Sequence, residues 1–248
     1  MTASLPMYDR PETRAATAAF WQAIRRSLPD RAAPAELGQP DDLMAHWRDP
    51  ALVFSQTCGL PYRTRLHDRV RLLATPDYGL PGCPPGYYNS VLVMRTDDPR
   101  SRDDWPDLTL ALNGYDSQSG WAAPFFQASA LGLAFGAHLV TGAHRASARA
   151  VYDGAADIAA IDAQTWRLMC RWDDWTAGLR VADRTEPTPG LPFITAAARD
   201  PARDPDLWQA LDDMAPADRA TLGLRGVVAI PADRYTSLPV PPKAAERG

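Results

Sequence analysis

The sequence predicts an α/β fold built on parallel, doubly wound sheet, and three observations carry that expectation. The chain is 248 residues long, which at about 150 residues per domain suits one large α/β domain or two small lobes. Hydrophobic residues make up 46% and charged residues 23%, enough apolar area to offset the ordering entropy that keeps polar chains unfolded. The middle third alternates short apolar runs with helical patterns, the order that a parallel sheet with crossover helices requires.

The elements follow in order. Ala3 to Met7 reads as a short strand. Pro11 suits a first helical position, and Ala16, Phe20, Ile24 and Leu28 recur at i, i+4, so a helix is expected from Pro11 to Ser27. Leu52–Phe54 and Val70–Ala74 are apolar runs bounded by turn residues, hence buried strands. Asp77 to Pro85, rich in Gly and Pro, is a loop, and Tyr87 to Met94 is one long strand. Strand Leu108–Leu112 is then followed by a polar turn and a helix from Gly120. Strand His138–Val140 leads through a turn to a helix ending at Tyr152. Strand Asp157–Ile161 leads to a helix carrying Trp166, Leu168 and Met169. Phe193 to Ala198 is a further strand, Asp204–Met214 and Pro216–Leu222 are helices, and the Pro-rich chain from Pro231 is irregular. Right-handed crossovers place the strand-to-helix turns along one edge of the sheet, and ligands of open α/β sheets bind there.

Composition excludes several functions. A net charge of −4 argues against a nucleic-acid partner, and no run of about 18 apolar residues inserts in a membrane. The chain has 25 Arg but one Lys, Lys243, in the tail. Schiff-base chemistry, a Walker A loop and a Ser-x-x-Lys site each need a lysine in the body of the fold. Cys58, Cys83 and Cys170 are odd in number and far apart, so free thiols are expected. His46, His67, His138 and His144 lack metal-site spacing. Neither a metal nor a cofactor is expected. The N-terminus has no basic region followed by an apolar one. The expected location is cytoplasmic as written, or periplasmic if a leader has been removed.

The strongest local feature is Asn113-Gly-Tyr-Asp-Ser-Gln-Ser-Gly-Trp121. Ser117, Gln118 and Ser119 bring hydroxyl and amide groups to a predicted helix start, where free N–H groups and the helix dipole receive an anion. The other reading is a simple N-cap. His144 occupies the matching turn of the next unit, and an imidazolium there would bind an anion better at low pH; the alternative is a surface histidine. Asp162 ends a strand, as a ligand partner or as an N-cap. Tyr8, Tyr62, Tyr87, Tyr88, Tyr115 and Trp121 crowd the same edge, as cleft walls or as core. The Arg63-Thr-Arg65 and Arg25-Arg26 clusters read as solvated faces.

Three stretches together resemble the substrate-binding proteins of ABC importers for phosphate, phosphite and phosphonate. They are Pro85-Gly-Tyr-Tyr-Asn-Ser-Val-Leu-Val-Met94, Leu108-Thr-Leu-Ala-Leu-Asn-Gly-Tyr-Asp-Ser-Gln-Ser-Gly120, and Gly142–Val151 with Gly154–Asp162. The resemblance implies a type II periplasmic-binding-protein fold, with each lobe a mostly parallel sheet flanked by helices. Lobe 1 would comprise 1–88 and 196–248, and lobe 2 would comprise 89–195. Two crossover strands join them, and the lobes close on a small oxyanion in the cleft. It further implies that Ser117, Gln118 and Ser119 form the oxyanion loop, that His144 is the ligand-binding histidine and that Tyr87 is the cleft tyrosine. Tyr8 and Asp162 are placed by their strand-end positions. An acid that amine-holding members use falls on Gln164. The expected function is solute binding for uptake or sensing, without catalysis, by a monomer whose partner is an ABC permease. The alternative is a cytoplasmic, cofactor-free enzyme of the same fold acting on a small carboxylate.

Overall fold

The computed structural model describes residues 1–28 and 33–242; Lys243 lies outside the described residues. In chain order the strands are β1 (Thr2–Ala3), β2 (Leu52–Gln56), β3 (Val70–Asp77), β4 (Tyr87–Tyr88), β5 (Ser90–Arg95) and β6 (Thr109–Leu112). They continue as β7 (Ala137–Val140), β8 (Ile158–Asp162), β9 (Leu179–Arg184), β10 (Thr188–Pro189), β11 (Phe193–Ala196) and β12 (Gly226–Val228). The chain divides into two compact units. Unit 1 comprises Met1–Tyr87 and Pro189–Leu238, and unit 2 is built on Tyr88–Thr188.

Unit 1 holds a five-stranded sheet of order β1-β2-β11-β3-β12. β1 runs parallel to β2, while β11 lies antiparallel to both β2 and β3. The helix Arg14–Ser27 buries Ala16, Phe20, Trp21, Ala23 and Ile24, the apolar stripe that its spacing predicts with Trp21 and Ala23 added. It begins three residues later than Pro11 because Thr13 Oγ1 bonds the carbonyls of Tyr8 and Arg10, holding the preceding turn. Phe54 and Phe193 meet at 5.0 Å between ring centroids, with Phe20 and Trp21 packed on them. Each such buried side chain contributes on the order of 1.5–3 kcal/mol. On the other face, Tyr62, Leu66, Ile194 and Tyr235 form a second cluster.

Unit 2 holds a five-stranded sheet of order β7-β6-β8-β5-β9. β6 is parallel to β7 and β8, and β5 is antiparallel to β8 and β9. Only β5 therefore runs against the other four. In each unit the strand that follows a crossing of the chain, β5 in one and β11 in the other, opposes both neighbours. Each begins beside the carboxyl end of a neighbouring strand, Ser90 opposite Asp162 and Phe193 opposite Gln56.

Several expected elements change. The run Tyr87–Met94 breaks at Asn89, because β4 pairs with β10 whereas β5 pairs with β8 and β9. The return to unit 1 falls at Thr188/Pro189 rather than at 195/196, because Phe193–Ala196 pairs wholly within the unit 1 sheet. Strands β9 and β12 and the helix Leu43–Trp47 carry no expectation from the sequence, and Asp233–Thr236 is a short helix where the chain from Pro231 is expected to be irregular. β9 and β12 are sheet edges, so half of their side chains meet water and the apolar alternation is weak. Arg63, expected to be solvated, is 6% exposed on a wide helical turn after β2. All three cysteines are thiols.

Gly86 has φ +76°, and a Cβ there would run into the Val228 side chain. Gly86→Ala combines a left-handed backbone with a local overlap, so it should destabilise unit 1 by about 2 kcal/mol or more. Urea unfolding measures this; a wild-type midpoint would show that the turn relaxes freely.

Candidate functional site

The candidate site is built at the carboxyl ends of β6, β7 and β8, three parallel neighbours of unit 2. After β6 the chain turns through Asn113–Asp116 and enters a wide helical turn, Gln118–Ala122, continued by the α-helix Ala123–Ala130. Ser117 caps this start: its Oγ accepts the Gly120 N–H at 3.0 Å. Asn113 Oδ1 is packed against Gly120, where any Cβ would overlap it. The first N–H groups of such a turn have no acceptor within the helix itself, and they carry the positive end of the helix dipole.

Ser119 sits one turn-position further and is 3% exposed. Its carbonyl accepts a hydrogen bond from Ser90 Oγ at 2.8 Å, and its Oγ lies 2.9 Å from His144 Nε2. His144 opens the helix His144–Tyr152 that follows β7. Gln118 reaches Thr188 Oγ1 with its side-chain N–H groups at 3.5 Å. Asp162 ends β8 and caps the next helix, with Oδ1 accepting the N–H groups of Gln164 at 2.7 Å and Thr165 at 2.9 Å.

The structure thus brings Ser117, Gln118, Ser119, His144 and Asp162 to one edge of unit 2. Tyr8 and Tyr87 belong to unit 1. Tyr8 meets Tyr78 edge-on at 5.2 Å, and Tyr87 hydrogen-bonds the Arg234 guanidinium. Tyr62 is core, 1% exposed and packed on Tyr235. Tyr115 and Trp121 pack on each other and on His138.

The expected imidazolium is corrected. His144 retains part of its surface, but its Nδ1 is buried without a well-formed hydrogen bond. Burial pushes its pKa down to about 4, opposed by the Ala160 backbone. A neutral ring is the cheaper form away from water. His144 is therefore uncharged near neutral pH, and the low-pH enhancement of anion binding expected of it has no basis between pH 5.5 and 8. Among the described residues no group of three His, Cys, Asp or Glu side chains is placed to hold a metal.

Two residues that complete the turn were not given roles from sequence. Ser90 lies in an apolar strand, and its register opposite Asp162 is what brings it to Ser119. Asn113 was visible in the motif, but its packing on Gly120 depends on how the turn closes.

Two α/β units, each with one crossing strand opposed to its neighbours, are the architecture of the type II periplasmic-binding class. The chain belongs to the family of periplasmic substrate-binding proteins of phosphonate ABC transporters, whose model matches residues 3–235. Its fold is similar to that of the binding component of an ABC phosphonate transporter (PA3383) from Pseudomonas aeruginosa. The two are 16% identical with a TM-score of 0.73, covering 95% of this chain and 82% of that one. It is also similar to PhnD1 from Prochlorococcus marinus, solved with methylphosphonate, at 14% identity and a TM-score of 0.75 over 96% and 94% of the two chains. XAC2383 from Xanthomonas citri, solved with ATP, shares 16% identity and a TM-score of 0.66 over 99% and 93%. No curated protein sequence matches the chain. No described helix is long and apolar enough to cross a membrane.

Proposed function

We propose that this protein binds a small phosphonate-like oxyanion on the Ser117–Ser119 turn and His144, and delivers it to an ABC permease. The observation that supports this reading most is the cap-and-pair geometry of the turn. Ser117 holds the helix start open, and Ser119 and His144 present a coupled hydroxyl and imidazole beside it. Neutral donors and a helix dipole suit an oxyanion without requiring a counter-cation. The family resemblance adds Tyr87 as an aromatic partner of the ligand, and Tyr8 joins the reading from its strand-end position alone. Asp162 enters this reading as the residue that fixes the edge through its helix cap. With Gln164 where amine-holding members use an acid, the solute is one without an amino group.

Ser117→Ala and Ser119→Ala are each expected to weaken binding of methylphosphonate or inorganic phosphate ten-fold or more. A hydrogen bond to a charged group contributes roughly 1.5–3 kcal/mol. Calorimetric titration measures the loss. Wild-type affinity in both variants would remove the turn from the site.

The Ser119–His144 contact also has the form of a nucleophile and base, the geometry an enzyme would use. The low pKa of the ring argues against that role, because a base protonated only near pH 4 takes up the serine proton poorly at neutral pH. Binding without turnover is the proposal, for a protein acting as a monomer. Its test is recovery of the unaltered solute after denaturation; an altered product lost in His144→Ala would establish the enzyme instead.

A further inference from the structure

Unit 1 carries a cavity that shares no residue with the oxyanion turn. Its volume is about 580 Å³, within the range of ~300–1,000 Å³ that small-molecule sites occupy. One wall is a single face of the Arg14–Ser27 helix: Arg14, Thr17, Ala18, Trp21 and Gln22 recur at i, i+3, i+4, i+7 and i+8. The stripe through Ala16, Phe20 and Ile24 packs into the core, so the cavity lies on the flank of the helix, with Trp21 shared between the two. The other wall is the segment Glu36–Asp41, and Leu5 and Pro6, just after β1, complete the lining.

The second wall is tied down along its length. Trp21 Nε1 donates to the Pro34 carbonyl at 3.3 Å, and Gln22 Nε2 donates to that of Ala35 at 2.8 Å. The Gly38 N–H donates to the Ala3 carbonyl of β1 at 2.8 Å. Beyond Asp41, Asp42 caps the helix Leu43–Trp47, its Oδ1 accepting the Ala45 N–H at 2.9 Å. Walls already held in the unbound protein lose less ordering entropy when a ligand enters. The lining combines an apolar floor with acids. Leu5 and Leu37 are half-buried and pack on the core cluster that holds Trp21. Three carboxylates, on Asp9, Glu36 and Asp41, line the cavity with one base, Arg14. Arg14 is engaged by Asp9, with Nε and one terminal nitrogen each 3.3 Å from its carboxylate. Among the described residues Glu36 and Asp41 form no ion pair, and the stretch from Ala33 to Trp47 contains neither Lys nor Arg to supply one. Two uncompensated carboxylates therefore remain beside an apolar floor.

We propose that this cavity binds a small organic cation with an apolar body, an aryl- or alkylammonium. The apolar body lies against Leu5, Ala18 and Leu37, where it leaves water. The ammonium donates to the Glu36 and Asp41 carboxylates, and such charge-assisted hydrogen bonds are stronger than neutral ones. A neutral molecule of the same shape gains only the apolar contact, and an anion is repelled. Both carboxylates are exposed, so each ion pair is modest and the preference for a cation comes from two of them acting together. The inference does not rest on the oxyanion reading, and either stands if the other fails.

The test is an NMR titration of the whole, nitrogen-15-labelled protein near neutral pH with two probes of one shape, phenethylammonium chloride and the uncharged phenethyl alcohol. The Trp21 indole N–H and the Gly38 amide are the local reporters. Phenethylammonium should shift both saturably and bind about five-fold or more tightly than the alcohol, the combined effect of two exposed ion pairs. The double variant Glu36→Gln, Asp41→Asn should lose that preference and bind the two probes alike. Equal affinity for the two probes in the wild type, no saturable shift at either reporter, or a preference that survives the double substitution overturns the inference. The wild-type comparison decides the matter even if the double variant does not fold.

Discussion

Gly120→Ala is expected to abolish measurable oxyanion binding while leaving a folded protein. Gly120 lies at the centre of the wide helical turn. An added Cβ would overlap Asn113 Oδ1 and come within 3.2 Å of Ser117 Oγ. Asn113 Oδ1 is a buried atom directly after β6, so its retreat would displace packed neighbours. The turn must move instead, and it carries Ser117 and Ser119 with it. Overpacking of this kind costs about 1–3 kcal/mol of stability. The larger effect is on the ligand, because a displacement of about 1 Å lengthens several charge-assisted hydrogen bonds at once. Titration with methylphosphonate and urea unfolding should be read together. Affinity within about two-fold of wild type would mean that the turn does not form the site. The double variant Asn113→Ala, Gly120→Ala removes the overlapping oxygen and should recover part of the binding.

The outline of the fold was legible because its strongest elements obey simple periods. The Arg14–Ser27 helix shows its i, i+4 stripe, and the β6, β7 and β8 units show an apolar run, a polar turn and a helix in sequence. What escaped was set by tertiary pairing. Asn89 interrupts a continuous apolar run only because the residues on either side find different partners. β9 reads Leu-Arg-Val-Ala-Asp-Arg and is a strand because β5 lies beside it. The turn itself was legible as a helix start, and Ser117 caps it; what it offers a ligand is the oxyanion proposal above. Its internal wiring was not. That Ser119 bonds His144, 25 positions away, and Ser90, 29 positions away, follows from sheet order, which no local spacing encodes. The same holds for the charge on His144: a histidine in a turn is an imidazolium candidate until its burial is known.

That burial leads to the second large effect, a loss of stability between pH 6.5 and about pH 4. In the unfolded chain His144 titrates near its ordinary value of 6.5, whereas in the folded protein it holds out to about 4. As the pH falls through this window the unfolded state binds the proton first, so unfolding becomes easier. The contribution of the neutral, buried ring is complete above 6.5, declines with falling pH, and is gone below about 4. The interval of about 2.5 pH units corresponds to at most about 3 kcal/mol, less where the ring's remaining surface admits water. His46 is shifted in the same direction, by burial, with Asp49 opposing, so it adds to the same slope. Asp98 acts elsewhere: hydrogen bonds from Arg100 hold its pKa at about 2, and its contribution is lost only as the pH falls below its ordinary value of 3.8. Urea unfolding of wild type and His144→Gln at pH 7, 6, 5 and 4 should therefore give curves that converge as the pH falls. The variant keeps the shallower slope due to His46. Parallel curves would mean that His144 titrates alike in both states, and that its ring is not held neutral against Ser119.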